Sequence, residues 1–204
     1  MCKIYRLNLI LSFLLFLVAV LMVGMLMAEN LPECNSDEDK IKGCVEREYY
    51  FNNRKLMREI SYKNGLQEGI RKDYHDNGNL RAEIPFKHGK IEGMAKAYYE
   101  SGNLKYKTLH ENGKIKGITK SYYENGNLER ETPTKNGKAD GIAKGYMPSG
   151  KLLITITFKE NTAINAKCSN GKALNDEELK SIESSFRASS LPYKDIAKIC
   201  GIEL

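Results

Sequence analysis

The chain has 204 residues, 28% of them charged, with 12 Tyr, 17 Gly, 5 Pro and no Trp. That composition excludes wholesale disorder, and many Tyr and Gly with few Pro favour strands and turns over helices. The net charge of +6 is mild, and Lys and Glu alternate along the chain, which points to a solvated surface and away from a nucleic-acid binder with its charge gathered on one face.

At the amino terminus, Lys3 and Arg6 precede an apolar run from Leu7 to Ala28, broken only by Asn8, Ser12 and Gly24. A basic start followed by an apolar run of this length reads as a signal peptide or as a transmembrane anchor. Both readings export the remainder of the chain, because the basic residues stay cytoplasmic. Residues 1–28 are therefore expected to be a leader or anchor, with the repeats outside the cytoplasm, periplasmic or membrane-anchored. Residues 29–44, polar and acidic from Glu29 to Lys40, are expected to be a linker or an N-terminal clasp. Cys2 lies before the apolar run; Cys34, Cys44, Cys168 and Cys200 lie beyond it. An even number in an exported region suggests two disulfides. Four cysteines allow three pairings, of which neighbourhood favours Cys34 with Cys44 and Cys168 with Cys200. No Cys-x-x-Cys or His pairing suggests a metal, and no cofactor is expected.

From residue 45 to 164 the chain repeats itself every 24 residues. Gly69, Gly93, Gly117 and Gly141 share one register, as do Gly78, Gly102, Gly126 and Gly150. Tyr50, Tyr74, Tyr98, Tyr122 and Tyr146 share another, and Leu56, Leu80, Leu104, Leu128 and Leu152 a third. Five units result, the first degenerate, with Val45 at the leading Gly and Arg54 at the turn Gly. Each unit reads as a β-hairpin closed by a three-residue loop such as Glu124-Asn125-Gly126, with Gly in the left-handed position. This register places Tyr74 opposite Leu80 and Ile70 opposite Ile84. A second turn, Lys87-His88-Gly89 and its equivalents, leads into the next unit. Because the period is even, one face is expected to gather the even positions Ile70, Tyr74, Leu80, Ala82, Ile84 and Phe86 and their equivalents as an apolar stripe. A lone hairpin is not stable, so stacking must supply the stability.

The pattern Gly-x-x-Lys-x-Tyr-Tyr-Glu-Asn-Gly-Asn-Leu, followed by Lys-Asn-Gly-Lys-x-x-Gly, resembles the MORN-like repeats of bacterial proteins grouped with YwqK-type antitoxins. The resemblance covers about residues 45–164. It implies an interaction scaffold, or a toxin-neutralising protein of the YwqK type.

Two ladders are candidates for a binding face: Tyr74, Tyr98, Tyr122 and Tyr146, and Lys72, Lys96, Lys120 and Lys144. Tyr is enriched at interfaces, and a lysine ladder suits an acidic partner or anionic lipid headgroups. Cross-strand packing and snorkelling stems are the structural counterparts of the same features. His75, His88 and His110 fall at different repeat positions and read as loop or surface residues. No nucleophile, P-loop, metalloprotease or dinucleotide motif is present, so no catalytic residue is assigned. After Cys168, Asn175 reads as the N-cap of a helix carrying Leu179, Ile182 and Phe186, and a second short helix near Pro192 carries Ile196, Ile199 and Cys200. Residues 165–204 are expected to form a helical cap. The sequence therefore predicts an all-β, elongated antiparallel sheet of stacked hairpins. It predicts a non-catalytic, envelope-associated scaffold with a protein partner, the alternatives being toxin neutralisation and an anionic-lipid platform.

Overall fold

The computed structural model describes residues 31–186 and 192–203. The expected leader or anchor at residues 1–28 lies outside the described residues. Among those described, no helix is long and apolar enough to cross a membrane.

The described residues build one antiparallel sheet of fourteen strands in near-sequential order. The hairpins are β1 (Cys44–Tyr49) with β2 (Leu56–Lys63), β4 (Gly69–Tyr74) with β5 (Leu80–Lys87), β7 (Gly93–Tyr98) with β8 (Leu104–Glu111), β9 (Lys114–Tyr122) with β10 (Leu128–Lys135), and β12 (Gly141–Tyr146) with β13 (Leu152–Lys159). The last strand, β14 (Thr162–Cys168), pairs with β13. Three two-residue strands, β3 (Leu66–Gln67), β6 (Lys90–Ile91) and β11 (Lys138–Ala139), return beside the ends of β2, β5 and β10. A short helix, α1 (Asp37–Lys42), precedes the sheet, and α2 (Asp176–Phe186) and α3 (Tyr193–Cys200) come after it.

The turns arise from residue chemistry. In the hairpin at Tyr99, the Gly102 N–H donates to the Tyr99 carbonyl and the Tyr99 N–H to the Asn103 carbonyl, both at 2.9 Å. Gly102 has φ +89°, a conformation that costs glycine little and other residues more. The turns between units are two-residue loops with both φ positive, as at Asn112 (52°) and Gly113 (78°), the geometry whose twist matches the flanking strands.

Each return strand carries a β-bulge that an even period alone does not reveal. Tyr74 faces Leu80 as expected, but Asp73 faces Ala82, so Arg81 is an extra residue and Ile70 faces Pro85 instead of Ile84. An extra residue reverses which side later side chains take. The expected stripe of even positions is therefore split. Ile70, Met94, Ile118 and Ile142 stay on one face and are exposed, at 43–57%. The return-strand residues Ala82, Ile84 and Phe86 pass to the other face, alongside Asp73, Arg71 and Gly69.

The first hairpin departs again. The Tyr50 N–H donates to Lys55 across a four-residue loop, with Arg54 at φ +56°. The extra loop residue moves β1 by one position. Tyr49, not Tyr50, faces Leu56 as Tyr74 faces Leu80, and Cys44, not Val45, stands where the later units have glycine.

The apolar core sits at the carboxyl end. Leu153, Ile154, Ile156 and Phe158 of β13 pack against Ile182 and Phe186 of α2 and Ile196, Ala197 and Cys200 of α3, all at most 3% exposed. Asn175 and Glu178 cap α2 reciprocally: the Glu178 N–H donates to Asn175 Oδ1 at 2.9 Å and the Asn175 N–H to Glu178 Oε2 at 3.0 Å. Two orphan donors at the helix start are thereby satisfied. Disulfides join Cys34 to Cys44 and Cys168 to Cys200, one near each end of the sheet.

Candidate interaction face

Each unit is tied to the next by one aromatic strut. The Tyr50 hydroxyl donates to the Tyr74 carbonyl, Tyr99 to Tyr122 and Tyr123 to Tyr146, each at 2.7 Å. His75 takes the same place, with Nε2 3.1 Å from the Tyr98 carbonyl. His75, in the loop that follows β4 as expected, is thus also a ladder member. Burial pushes the Tyr99 and Tyr123 phenols above their ordinary range, so the donors stay protonated. Asn side chains repeat the device at the loops: Asn79 donates to the Glu100 carbonyl at 2.7 Å, Asn103 to Glu124 at 2.8 Å and Asn127 to Pro148 at 2.7 Å.

The sheet has two unlike faces. On the back face, Asp73 is 3% exposed and accepts from Arg58 Nε and Arg71 Nη2, each at 2.7 Å. Burial alone would raise its pKa, but the two guanidinium groups outweigh burial and hold the carboxyl below the usual range. Further along, a groove of about 710 Å³ is lined by Arg81, Lys105, Tyr106, Ser121, Arg130 and Phe186 among others. Arg130 donates to the Phe186 carbonyl and lies 5.3 Å from its ring centre, which ties β10 to the end of α2. Ser121 Oγ is buried with no hydrogen-bond partner among the described residues.

The front face carries all eight residues of the two sequence ladders. Strand pairing aligns the lysines with return-strand residues in one row running Glu59, Lys72, Glu83, Lys96, Lys107, Lys120, Glu131, Lys144. Lys120 pairs with Glu131 at 2.7 Å and Lys96 with Glu83 at 3.5 Å. The Tyr ladder lies beside this row. Tyr98 donates to Glu83 Oε2 at 2.8 Å and Tyr146 to Glu131 Oε2 at 3.1 Å. Burial, aided by Glu83, pushes Tyr98 up to about 12. The Lys120 ammonium, with help from Tyr146, holds the Glu131 carboxyl below its usual range. On the other flank lies a row of exposed side chains that includes Ile70, Met94, Leu109, Ile118 and Ile142. The front face is therefore amphipathic across its width, with tyrosines, then charges, then aliphatic groups.

Two kinds of residue in this arrangement were not singled out by the sequence reading. The struts Tyr99 and Tyr123 were visible as the second Tyr of each Tyr-Tyr pair. Lys107 was visible as the basic residue in the series Glu59, Glu83, Lys107, Glu131, Thr155. Among the described residues, no group of three His, Cys, Asp or Glu side chains could hold a metal ion.

The family model described as the MORN repeat variant matches four tandem segments, residues 67–88, 91–112, 115–136 and 139–160. The first hairpin, β1 with β2, lies outside those segments. No curated protein matches the chain.

Proposed function

We propose that this chain is a non-catalytic, envelope-associated scaffold that presents its front face to a protein partner. The observation that carries this reading is the amphipathic front face. Large aliphatic side chains that a fold ordinarily hides stand exposed in a row beside cations and tyrosines, with Ile118 at 51% and Ile142 at 57%. A contiguous apolar row rimmed by polar groups is the mark of an interaction surface. The four matched repeats are consistent with this, since such repeats commonly serve protein or lipid interactions. The envelope assignment rests on the basic-then-apolar run from Lys3 to Ala28.

The test is a crosslinked pull-down of the tagged full chain from solubilised envelopes, with co-purifying proteins identified by mass spectrometry. One near-stoichiometric protein partner is the expected result. If that partner is toxic when this chain is depleted, the scaffold is a neutraliser of the kind the YwqK resemblance implies. Retention of anionic lipid with no protein partner would overturn the reading in favour of a membrane-surface platform.

A further inference from the structure

The front-face charge row follows a rule with two departures: the neutral Thr155 faces Lys144 at its carboxyl end, and inside the row one return-strand position is basic. Lysines of the outgoing strands meet glutamates of the return strands at Glu59, Glu83 and Glu131. In β8 the equivalent residue is Lys107, which faces Lys96 on one side and Lys120 on the other. The two outer lysines reach outward to Glu83 and Glu131. Lys107 has no carboxylate within ion-pair distance among the described residues; its ammonium lies 5.5 Å from the centre of the Tyr122 ring.

Like charges directly opposite one another in a sheet are destabilising. Among the described residues the fold gains from Lys107 the Tyr122 ring contact and no ion pair, whereas a glutamate there would continue the alternation and accept from Tyr122 as Glu83 accepts from Tyr98. An arrangement that sets three ammonium groups side by side and gives the central one no ion pair among the described residues points to an external ligand. We infer that Lys96, Lys107 and Lys120 form a docking site for a short acidic segment of a partner protein, its carboxylates seated on the three ammonium groups and an apolar side chain lying on Met94, Leu109 and Ile118. This inference rests on the reading of the front face as the interaction surface, and adds where on that face and to what chemistry the partner binds.

Width selects the occupant. Three neighbouring strands span about 10 Å, and carboxylates border the lysines on both sides at Glu83 and Glu131. An anionic membrane lying on the whole face would also meet those carboxylates and Glu59. A short acidic segment meets only the cationic centre, while its apolar neighbour takes the exposed Met94 (43%), Leu109 (39%) and Ile118 (51%).

The experiment is a titration of the isotope-labelled full chain with a blocked hexaglutamate peptide at low ionic strength, followed by NMR. Sedimentation with phosphatidylglycerol vesicles runs in parallel. Lys107→Glu should weaken hexaglutamate binding by about tenfold or more, whereas Lys144→Glu, with the same charge change in the same row but outside the triad, should weaken it by less than about twofold. Equal weakening by both variants would mean diffuse charge and would overturn the site. So would failure of the unsubstituted chain to bind the peptide, with or without vesicle binding; vesicle binding alone would identify the membrane as occupant. A thermal melt of each variant guards against unfolding, and Lys107→Ala replaces Lys107→Glu if the latter melts early. A protein partner captured equally well by Lys107→Glu would sink the triad and leave the front-face reading standing. Selective peptide binding with no captured partner would do the reverse.

Discussion

Lys107→Glu is expected to make the protein more stable, although it reverses a charge on a half-exposed side chain. The substitution removes two like-charge neighbours, Lys96 and Lys120, and creates two opposite-charge ones. Cross-strand pairs of this kind are worth roughly 0.2–1 kcal/mol each. Two losses oppose the gain. The contact of Lys107 with the Tyr122 ring is worth about 0.5–1 kcal/mol at an exposed site, and Lys96 and Lys120 are already partly satisfied by Glu83 and Glu131. The net is about +0.5 to +1.5 kcal/mol, or roughly 1–6 °C in melting temperature for a protein of this size. The assay is a reversible circular-dichroism melt at about 0.02 M and about 1 M salt, and the gain should shrink at high salt as screening removes the pair terms. A melting temperature below that of the unsubstituted chain, or a gain insensitive to salt, would refute the reasoning.

Further predictions concern the framework. Tyr99→Phe removes the hydroxyl that holds the Tyr122 carbonyl and should cost about 1–2 kcal/mol in urea denaturation, with faster amide exchange localised around residues 122–128. Tyr123→Phe should act alike at Tyr146. Asp73 has a folded pKa below its ordinary 3.8, so its ion pairs stabilise the fold fully above that value and the contribution disappears as pH falls through the folded value. Asp73→Asn should therefore cost about 2 kcal/mol near neutrality and lose less than the unsubstituted chain on acidification from pH ~6 to ~2, read by urea midpoints. Cys200→Ala opens a loop of sequence separation 32 and should destabilise by up to about 3.7 kcal/mol, against about 2.7 kcal/mol for Cys34→Ala, whose loop separation is 10. The first variant should also raise amide exchange throughout α3.

The repeat, the turns and the ladders were legible in the sequence because each depends on local chemistry. Gly102 and Gly113 mark positive φ, and equal spacing aligns equivalent residues on neighbouring hairpins. The cap was legible for the same reason: Asn175, Ile182, Phe186 and Ile196 are placed by helix capping and helical period. What escaped was decided by one-residue insertions. The bulge at Arg81 and its equivalents reverses the face of each return strand, so Ile84 and Ile70 part company although both are even-numbered. The longer first loop moves Tyr50 from the Tyr74 register into that of His75, Tyr99 and Tyr123. Neither insertion changes the 24-residue spacing of Leu56 and Leu80, so periodicity alone could not show them. The role of Lys107 also needed pairing: as a sequence position it is one more lysine, and only register sets it between two others.

The central claim is that the front face meets the partner while the back face holds the fold together. A photoreactive benzoyl-phenylalanine placed at Met94 or Ile118 on the front, or at Ile84 or Thr132 on the back, would test it most directly, with the full chain irradiated in intact cells. One discrete protein adduct is expected from the two front positions and none from the back. Adducts from the back positions alone, or equally from all four, would contradict the claim.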